Sequence, residues 1–262
     1  MFSLEAAAPR TPRRVPRASH RAARPRLTGR GAWQALESGS LEALALQQNH
    51  AGCRAATRLS AALASGRLLL QRLDLSTNGI GAAGATALGH ALASNSVLGT
   101  LHLDRNPLGA EGGEGLALGL RSNSLTLLTL ASSDLRDSGA RALLGALQEN
   151  KSLTRLDLST NHFGDVAGTA AAQMLRGNCT LAWLSMQENS VGDAGGAAIG
   201  AALQHNSALR SLSLKANSFH DAAGEALVAG MRASTALTEV LPRVAPTAVP
   251  GVRRRGLSVV LT

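Results

Sequence analysis

One pattern recurs along this chain and restricts its fold more than any other property. The segments LEALALQQN (41–49), LQRLDLSTN (70–78), LGTLHLDRN (98–106), LTLLTLASS (125–133), LTRLDLSTN (153–161), LAWLSMQEN (181–189) and LRSLSLKAN (209–217) share the template L-x-x-L-x-L-x-x-N. The Asn slot falls at Asn49, Asn78, Asn106, Ser133, Asn161, Asn189 and Asn217, at spacings of 29, 28, 27, 28, 28 and 28 residues. A fixed period of this length implies a stack of like units, each needing its neighbours to bury an apolar face.

Within each unit the second and third Leu alternate with other residues, which predicts a short strand with one buried face. A Gly-bearing turn and an Ala/Leu pattern of helical period follow, as in IGAAGATALGHALASN (80–95) and VGDAGGAAIGAALQHN (191–206). Parallel strands joined through helices require right-handed crossovers. The sequence therefore predicts an α/β right-handed solenoid, with parallel strands on a concave face and helices on the convex face. Gly81, Gly84, Gly109, Gly112, Gly164, Gly192 and Gly195 are expected to let the chain turn and the helices approach. The Asn column is expected to bond backbone groups in the turns of adjacent units, a task suited to an amide with both donor and acceptor.

These units resemble the ribonuclease-inhibitor-like leucine-rich repeats over about Leu41 to Leu241. The uniform Asn-type repeats of NOD-like receptors and of the Ran GTPase-activating protein are the most similar, through stretches such as LDLSTNGIGAAGATALGHAL (73–92). The resemblance implies a horseshoe that holds another protein, with no cofactor and no catalysis. It leaves two alternatives, a regulator of a small GTPase and the recognition fragment of a NOD-like immune sensor. The Ran activator carries an acidic C-terminal tail, whereas residues 242–262 here hold four Arg and no acid. The segment leading to Ser133 departs from the pattern, being one residue short and carrying Leu127 at a position expected to face solvent; a local change of curvature is expected there.

If each first Leu is position one, positions three, five and seven line the concave sheet. The candidate partner-binding residues there are Arg72, Asp74, His102, Asp104, Arg155, Asp157, Trp183, Gln187 and Lys215. Trp183 and Arg155 are the types that dominate interface energies. Arg72 with Asp74, and Arg155 with Asp157, either meet a partner or pair with neighbours along the sheet.

No catalytic constellation accompanies the repeat. Gly79-Ile80-Gly81-Ala82-Ala83-Gly84 satisfies the dinucleotide fingerprint on paper, yet two of its glycines occupy the turn slots that the other units also fill. Neither Lys151 nor Lys215 follows a glycine as a phosphate-binding loop requires, and the seven His are scattered over different slots. No metal or cofactor is expected.

The formal charge of +9 belongs to the ends. Residues 1–30 carry eight Arg and one acid, while residues 31–241 carry 14 basic and 16 acidic residues. A nearly neutral body makes nucleic acid an unlikely partner except through the basic arm. Residues 1–32 read as a disordered Arg/Pro-rich arm, 33–241 as a solenoid of about seven units, and 242–262 as an irregular basic tail. Cys53 and Cys179 show no ligand or redox spacing, which favours a cytoplasmic setting; organelle targeting through the Arg-rich N-terminus is the alternative. The sequon at Asn178 would matter only in a secreted chain. No stretch reaches the length of a membrane span.

Overall fold

The computed structural model of this protein describes residues 41–121, 124–241 and 258–259. The expected N-terminal arm (1–32), the first residues assigned to the solenoid (33–40) and most of the tail (242–262) lie outside them. Strands and helices alternate: β1 (Ala43–Ala45), α1 (Gly52–Ala64), β2 (Arg72–Asp74), α2 (Ala82–Ser94), β3 (Thr100–His102), α3 (Gly109–Leu120), β4 (Leu127–Thr129) and α4 (Arg136–Leu147). Then come β5 (Arg155–Asp157), α5 (Asp165–Gly177), β6 (Trp183–Ser185), α6 (Asp193–Leu203), β7 (Ser211–Ser213), α7 (Asp221–Ala233), β8 (Glu239–Leu241) and β9 (Ser258–Val259).

The strands form one parallel sheet in chain order, and β1 to β7 pair with like positions of the repeat in register. Thr100, Leu127 and Arg155 are thus successive partners, so the unit one residue short does not disturb the sheet. Ser258–Val259 pair with Glu239–Val240 and extend the sheet.

Each strand covers only positions three to five. The central Leu points into the core between sheet and helices, and Leu73, Leu101, Leu128, Leu156, Leu184 and Leu212 are fully buried. Full burial of such a side chain contributes about 1.5–3 kcal/mol, and aligned columns of leucine supply most of the core. On the outer layer, small residues set helix spacing. A β-carbon on Gly89 of α2 would collide with the carbonyl of Gly115 in α3.

The residue before each Asn slot takes a left-handed conformation: Gln48, Thr77, Arg105, Ser132, Thr160, Glu188 and Ala216, with φ between 54° and 60°. None of these seven is glycine; left-handed glycine stands after the slot instead, at Gly52, Gly79 and Gly109. Hydrogen bonds from the next unit hold the seven, as when Thr77 N–H donates to Asp104 O at 2.8 Å and Thr160 N–H to Gln187 O at 2.9 Å. A left-handed L-residue costs about 1–2 kcal/mol, which these inter-unit bonds offset.

Three side-chain columns tie the units together. In the Asn slot, Asn161 Nδ2 donates to Leu130 O of the preceding unit at 2.8 Å, and its Oδ1 accepts from Ser133 N–H at 3.0 Å and Leu135 N–H at 3.2 Å. Asn78, Asn106 and Asn189 repeat the scheme. A second column of buried amides runs along the helix ends at Asn95, Asn150, Asn178 and Asn206. Each Oδ1 accepts N–H groups from the chain re-entering the sheet, and each Nδ2 reaches a carbonyl of the preceding unit. Asn178, the sequon residue, is therefore buried with its amide nitrogen already donating to Leu147 O at 2.7 Å.

The third column caps helices. Asp137 Oδ1 accepts Gly164 N–H at 2.9 Å and Ala167 N–H at 3.0 Å, and Asp165 Oδ1 accepts Gly192 and Gly195 N–H at 2.8 Å each. The free N–H groups at one helix start are thus satisfied by a carboxylate from the first turn of the helix before it. Cys53 fills the same place with its sulfur, accepting Gly81 N–H at 3.2 Å.

Candidate interaction face

Of the nine residues expected on the concave face, Arg72, Asp74, His102, Arg155, Asp157 and Trp183 lie in the strands, and Asp104, Gln187 and Lys215 lie just beyond strand ends. Arg72, Arg155 and Lys215 are exposed, whereas Asp74, His102, Asp104, Asp157, Trp183 and Gln187 are half-buried. Leu127 is half-buried on the same face.

Strand pairing sets residues of adjacent units side by side: Arg155 is in register with Trp183. The Arg155 guanidinium lies over the Trp183 ring, 5.4 Å from its centroid. Cation and indole hold one another in place by attraction between the guanidinium and the ring's negative face. Neither Arg155 with Asp157 nor Arg72 with Asp74 forms an ion pair; the three ion pairs among the described residues lie elsewhere. The two carboxylates instead close local turns, Asp74 accepting Ser76 N–H and Asp157 accepting Ser159 N–H, both at 3.0 Å.

The structure joins residues that the sequence offers only singly. His102 and Asp104 meet through Thr129 of the next unit, which is not among the nine candidates. The Thr129 hydroxyl donates to Asp104 Oδ2 at 2.6 Å, so its oxygen accepts from His102 Nδ1–H at 2.9 Å. That assigns the proton of a neutral His102 to Nδ1. Asp104 Oδ1 also accepts Ala131 N–H at 2.8 Å. A second network joins Asp157, Ser159 and Ser185: the Ser159 hydroxyl donates to Asp157, and the Ser185 hydroxyl donates to Ser159 at 2.8 Å. Gln187 Oε1 accepts the Ser213 hydroxyl at 3.4 Å. Signals for Thr129, Ser159 and Ser185 existed, since positions five and seven of adjacent units become neighbours once the register is known.

Away from this face, a cavity of about 660 Å³ opens beside the turn before α4, lined by Asp134, Arg136, Asp137, Ser138 and His162. Asp134 and Arg136 form an exposed ion pair at 3.1 Å, which raises the Arg136 guanidinium. On the rim of α7, His220 N–H donates to Asp193 Oδ1 at 2.7 Å and lowers that carboxyl below the usual aspartate value. Among the described residues no group of three or more His, Cys, Asp or Glu stands close enough to hold a metal ion. The paper dinucleotide fingerprint is spent on structure: Gly79 is left-handed at φ 67°, Gly81 lies against Cys53, and a β-carbon on Gly84 would stand 2.8 Å from Ile80.

Comparison with known proteins bears on the repeat. A family model described as Leucine Rich repeat matches residues 69–89, 94–117 and 149–170. No curated protein matches the chain. Among solved structures, actin-binding site 2 of leiomodin-1 is 23% identical, with a TM-score of 0.41 over 50% of this chain and 80% of that one. The Rad7 and Elc1 complex of yeast is 15% identical, with a TM-score of 0.35 over 86% of this chain and 75% of that one. An internalin from Listeria monocytogenes is 15% identical, with a TM-score of 0.36 over 72% of this chain and 66% of that one.

Proposed function

From the premise that this chain is a leucine-rich-repeat solenoid, we propose that it is a non-enzymatic scaffold that holds a protein partner against its concave face. The observation that carries this reading is the Arg155 guanidinium stacked over the Trp183 ring, 5.4 Å from its centroid. A cation already oriented by an indole loses little further freedom on binding, and Trp and Arg are the types that anchor interfaces. Around this anchor, Asp157, Gln187 and Lys215 form a polar rim, and Arg72, Asp74, His102 and Asp104 extend it toward the first units.

We read the repeat subtype as ribonuclease-inhibitor-like, supported by a helix of 11 to 13 residues in each of the seven units. A cytoplasmic setting is supported by Cys53 and Cys179, both free thiols. No helix among the described residues is long and apolar enough to cross a membrane.

The test is proximity labelling and pull-down from the source cell with the intact chain and with the double variant Trp183→Ala, Arg155→Ala. Partners captured by the intact chain are expected to be lost from the variant while its helical circular dichroism is unchanged. A variant that retains every partner removes the concave face from consideration.

A further inference from the structure

Charge on the nearly neutral body is sorted along the strand direction. At the edge where helices end and strands begin, Arg67, Arg121, Lys151, Arg176, Arg210 and Arg232 are exposed, against Glu42 and Glu149. At the opposite edge stand Asp104, Asp134, Asp137, Asp165, Asp193 and Asp221, against Arg54, Arg105, Arg136 and Lys215. Helix dipoles explain the part of this pattern that lies at helix ends, where carboxylates favour starts and cations favour finishes. They do not explain Arg72 and Arg155, which open strands β2 and β5.

On the concave face these two guanidinium groups are left without an acceptor. Asp74, Asp104 and Asp157 each accept a backbone N–H within the molecule. Arg72 and Arg155, by contrast, donate no hydrogen bond and join no ion pair among the described residues. Contact with the Trp183 ring holds the Arg155 guanidinium without a carboxylate, so its planar fork of N–H donors remains available for one. Register places Arg72, Thr100, Leu127, Arg155 and Trp183 side by side in one row. Neighbouring strands lie about 4.8 Å apart, which puts about 14 Å between the two arginine positions and about 5 Å more to Trp183. The first acid in the same row, Glu239, comes three strands after Arg155.

We infer that the partner presents an extended acidic segment, which lies across the strands along this row with carboxylates at i and i+4 on Arg72 and Arg155. This rests on the concave face being the binding surface and names what that surface reads. An extended chain rises about 3.4 Å per residue and turns every second side chain to one side, so i, i+2, i+4 and i+6 fall at about 0, 7, 14 and 20 Å. Apolar side chains at i+2 and i+6 then meet half-buried Leu127 beside Thr100, and the Trp183 ring. A helix about 10 Å wide would also cover Asp74 and Asp157, which stand about 7 Å along the strands from the arginines. A nucleic-acid strand carries a phosphate at every nucleotide and would set charge against Leu127 as well as the arginines.

The test is fluorescence anisotropy of the full-length chain with two labelled Ser/Gly peptides of one composition, each bearing two Glu and two Leu. In the first, Glu stands at i and i+4 and Leu at i+2 and i+6; in the second, the two Glu are adjacent and so are the two Leu. The basic ends of the chain attract both peptides alike, so the difference between them reports the row. The patterned peptide is expected to bind about tenfold tighter. Arg72→Gln and Arg155→Gln are each expected to remove most of that difference, and Arg72→Glu to regain it when Lys replaces the first Glu of the peptide. Equal binding of the two peptides, or a preference that Arg72→Gln leaves intact, overturns the inference. Tighter binding of a single-stranded oligonucleotide that Arg72→Gln abolishes overturns it too. If the double variant Trp183→Ala, Arg155→Ala still loses its captured partners in either case, the concave face stands as the binding surface and only the acidic pattern falls.

Discussion

Two seams of the solenoid, built from the same template, are held by different means. Between the units of Asn161 and Asn189, the Asn189 amide makes five inter-residue bonds: Nδ2 to Leu158 O, Met186 O and Gln187 O, and Oδ1 from Asn161 N–H and Phe163 N–H. Between the units of Asn106 and Ser133, a serine stands in the slot. Its hydroxyl comes no nearer than 3.5 Å to Leu103 O and 3.4 Å to Ala131 O, and the Leu108 N–H turns to Asn106 O instead. The second seam is stitched from the concave surface, through the bonds of Asp104 to Thr129 and Ala131. A loss inside the turn column is offset where the sheet meets solvent, so the polar network at His102 serves cohesion as well as display.

The widest separation between the two seams is expected from truncating their slot residues. Asn161→Ala leaves several buried backbone groups unpaired and should cost about 4 kcal/mol, whereas Ser133→Ala should cost under about 1 kcal/mol. Urea denaturation of the two variants measures the difference, and equal losses would show that the slot amide is not what binds the regular seam. Next in size is Asp104→Ala, which cuts two bonds across the serine seam and should cost about 2 kcal/mol. Asp157→Ala cuts bonds only within its own strand end and should cost under about 1 kcal/mol in the same assay. If the two match, the surface stitching has no special part in holding the irregular seam.

A gain is expected from Arg136, which lies in the turn following Ser133 at φ 52°, where Gly52 and Gly109 occupy the matching place in two other units. Arg136→Gly relieves a left-handed residue and loses one exposed ion pair, for a net stabilisation of about 1 kcal/mol in thermal melts. A lower melting temperature would mean that the ion pair outweighs the backbone conformation. The smallest effect concerns the helix caps of the regular half. Because Asp193 is lowered in the folded chain, its contribution is complete above the unfolded aspartate value of about 3.9 and is lost as pH falls through the folded value below it. Asp193→Asn should flatten stability between pH 5 and pH 2, to about the extent that one aspartate allows, whereas His220→Ala should retain most of the slope because the leading cause is a backbone N–H.

The repeat spacing made strands, register and the Asn column legible, since the side chains that build them recur at a fixed distance in the chain. The capping column was harder to read, because its first members are Cys53, Ala82 and Ala110 and aspartate enters only at Asp137. The helix-end amides Asn95, Asn150, Asn178 and Asn206 also recur, but they sit where a helical pattern fades and a loop begins, and there an Asn reads as an ordinary helix stop. For the proposed interaction face, position numbers located six of the nine candidate residues in strands and three just beyond strand ends. What they could not supply was partnership: Thr129 bridges His102 to Asp104 only because one strand lies beside another, a relation between units that no single unit contains. The left-handed turns were illegible for a similar reason, their strain being met by carbonyls 27 residues further on, as for Thr77 and Asp104.

From Asn78 onward the slot amides face one way, each reaching back to the unit before it. Every unit therefore carries the half-joint its predecessor needs and presents an unmarked backbone to its successor. A gene for such a chain can lengthen by copying one whole unit, because the copy brings its own amide and accepts the next without redesign. The unit bearing Ser133 is the exception: a duplicate of it would arrive without an amide and would depend on Asp104 and Thr129 being copied with it.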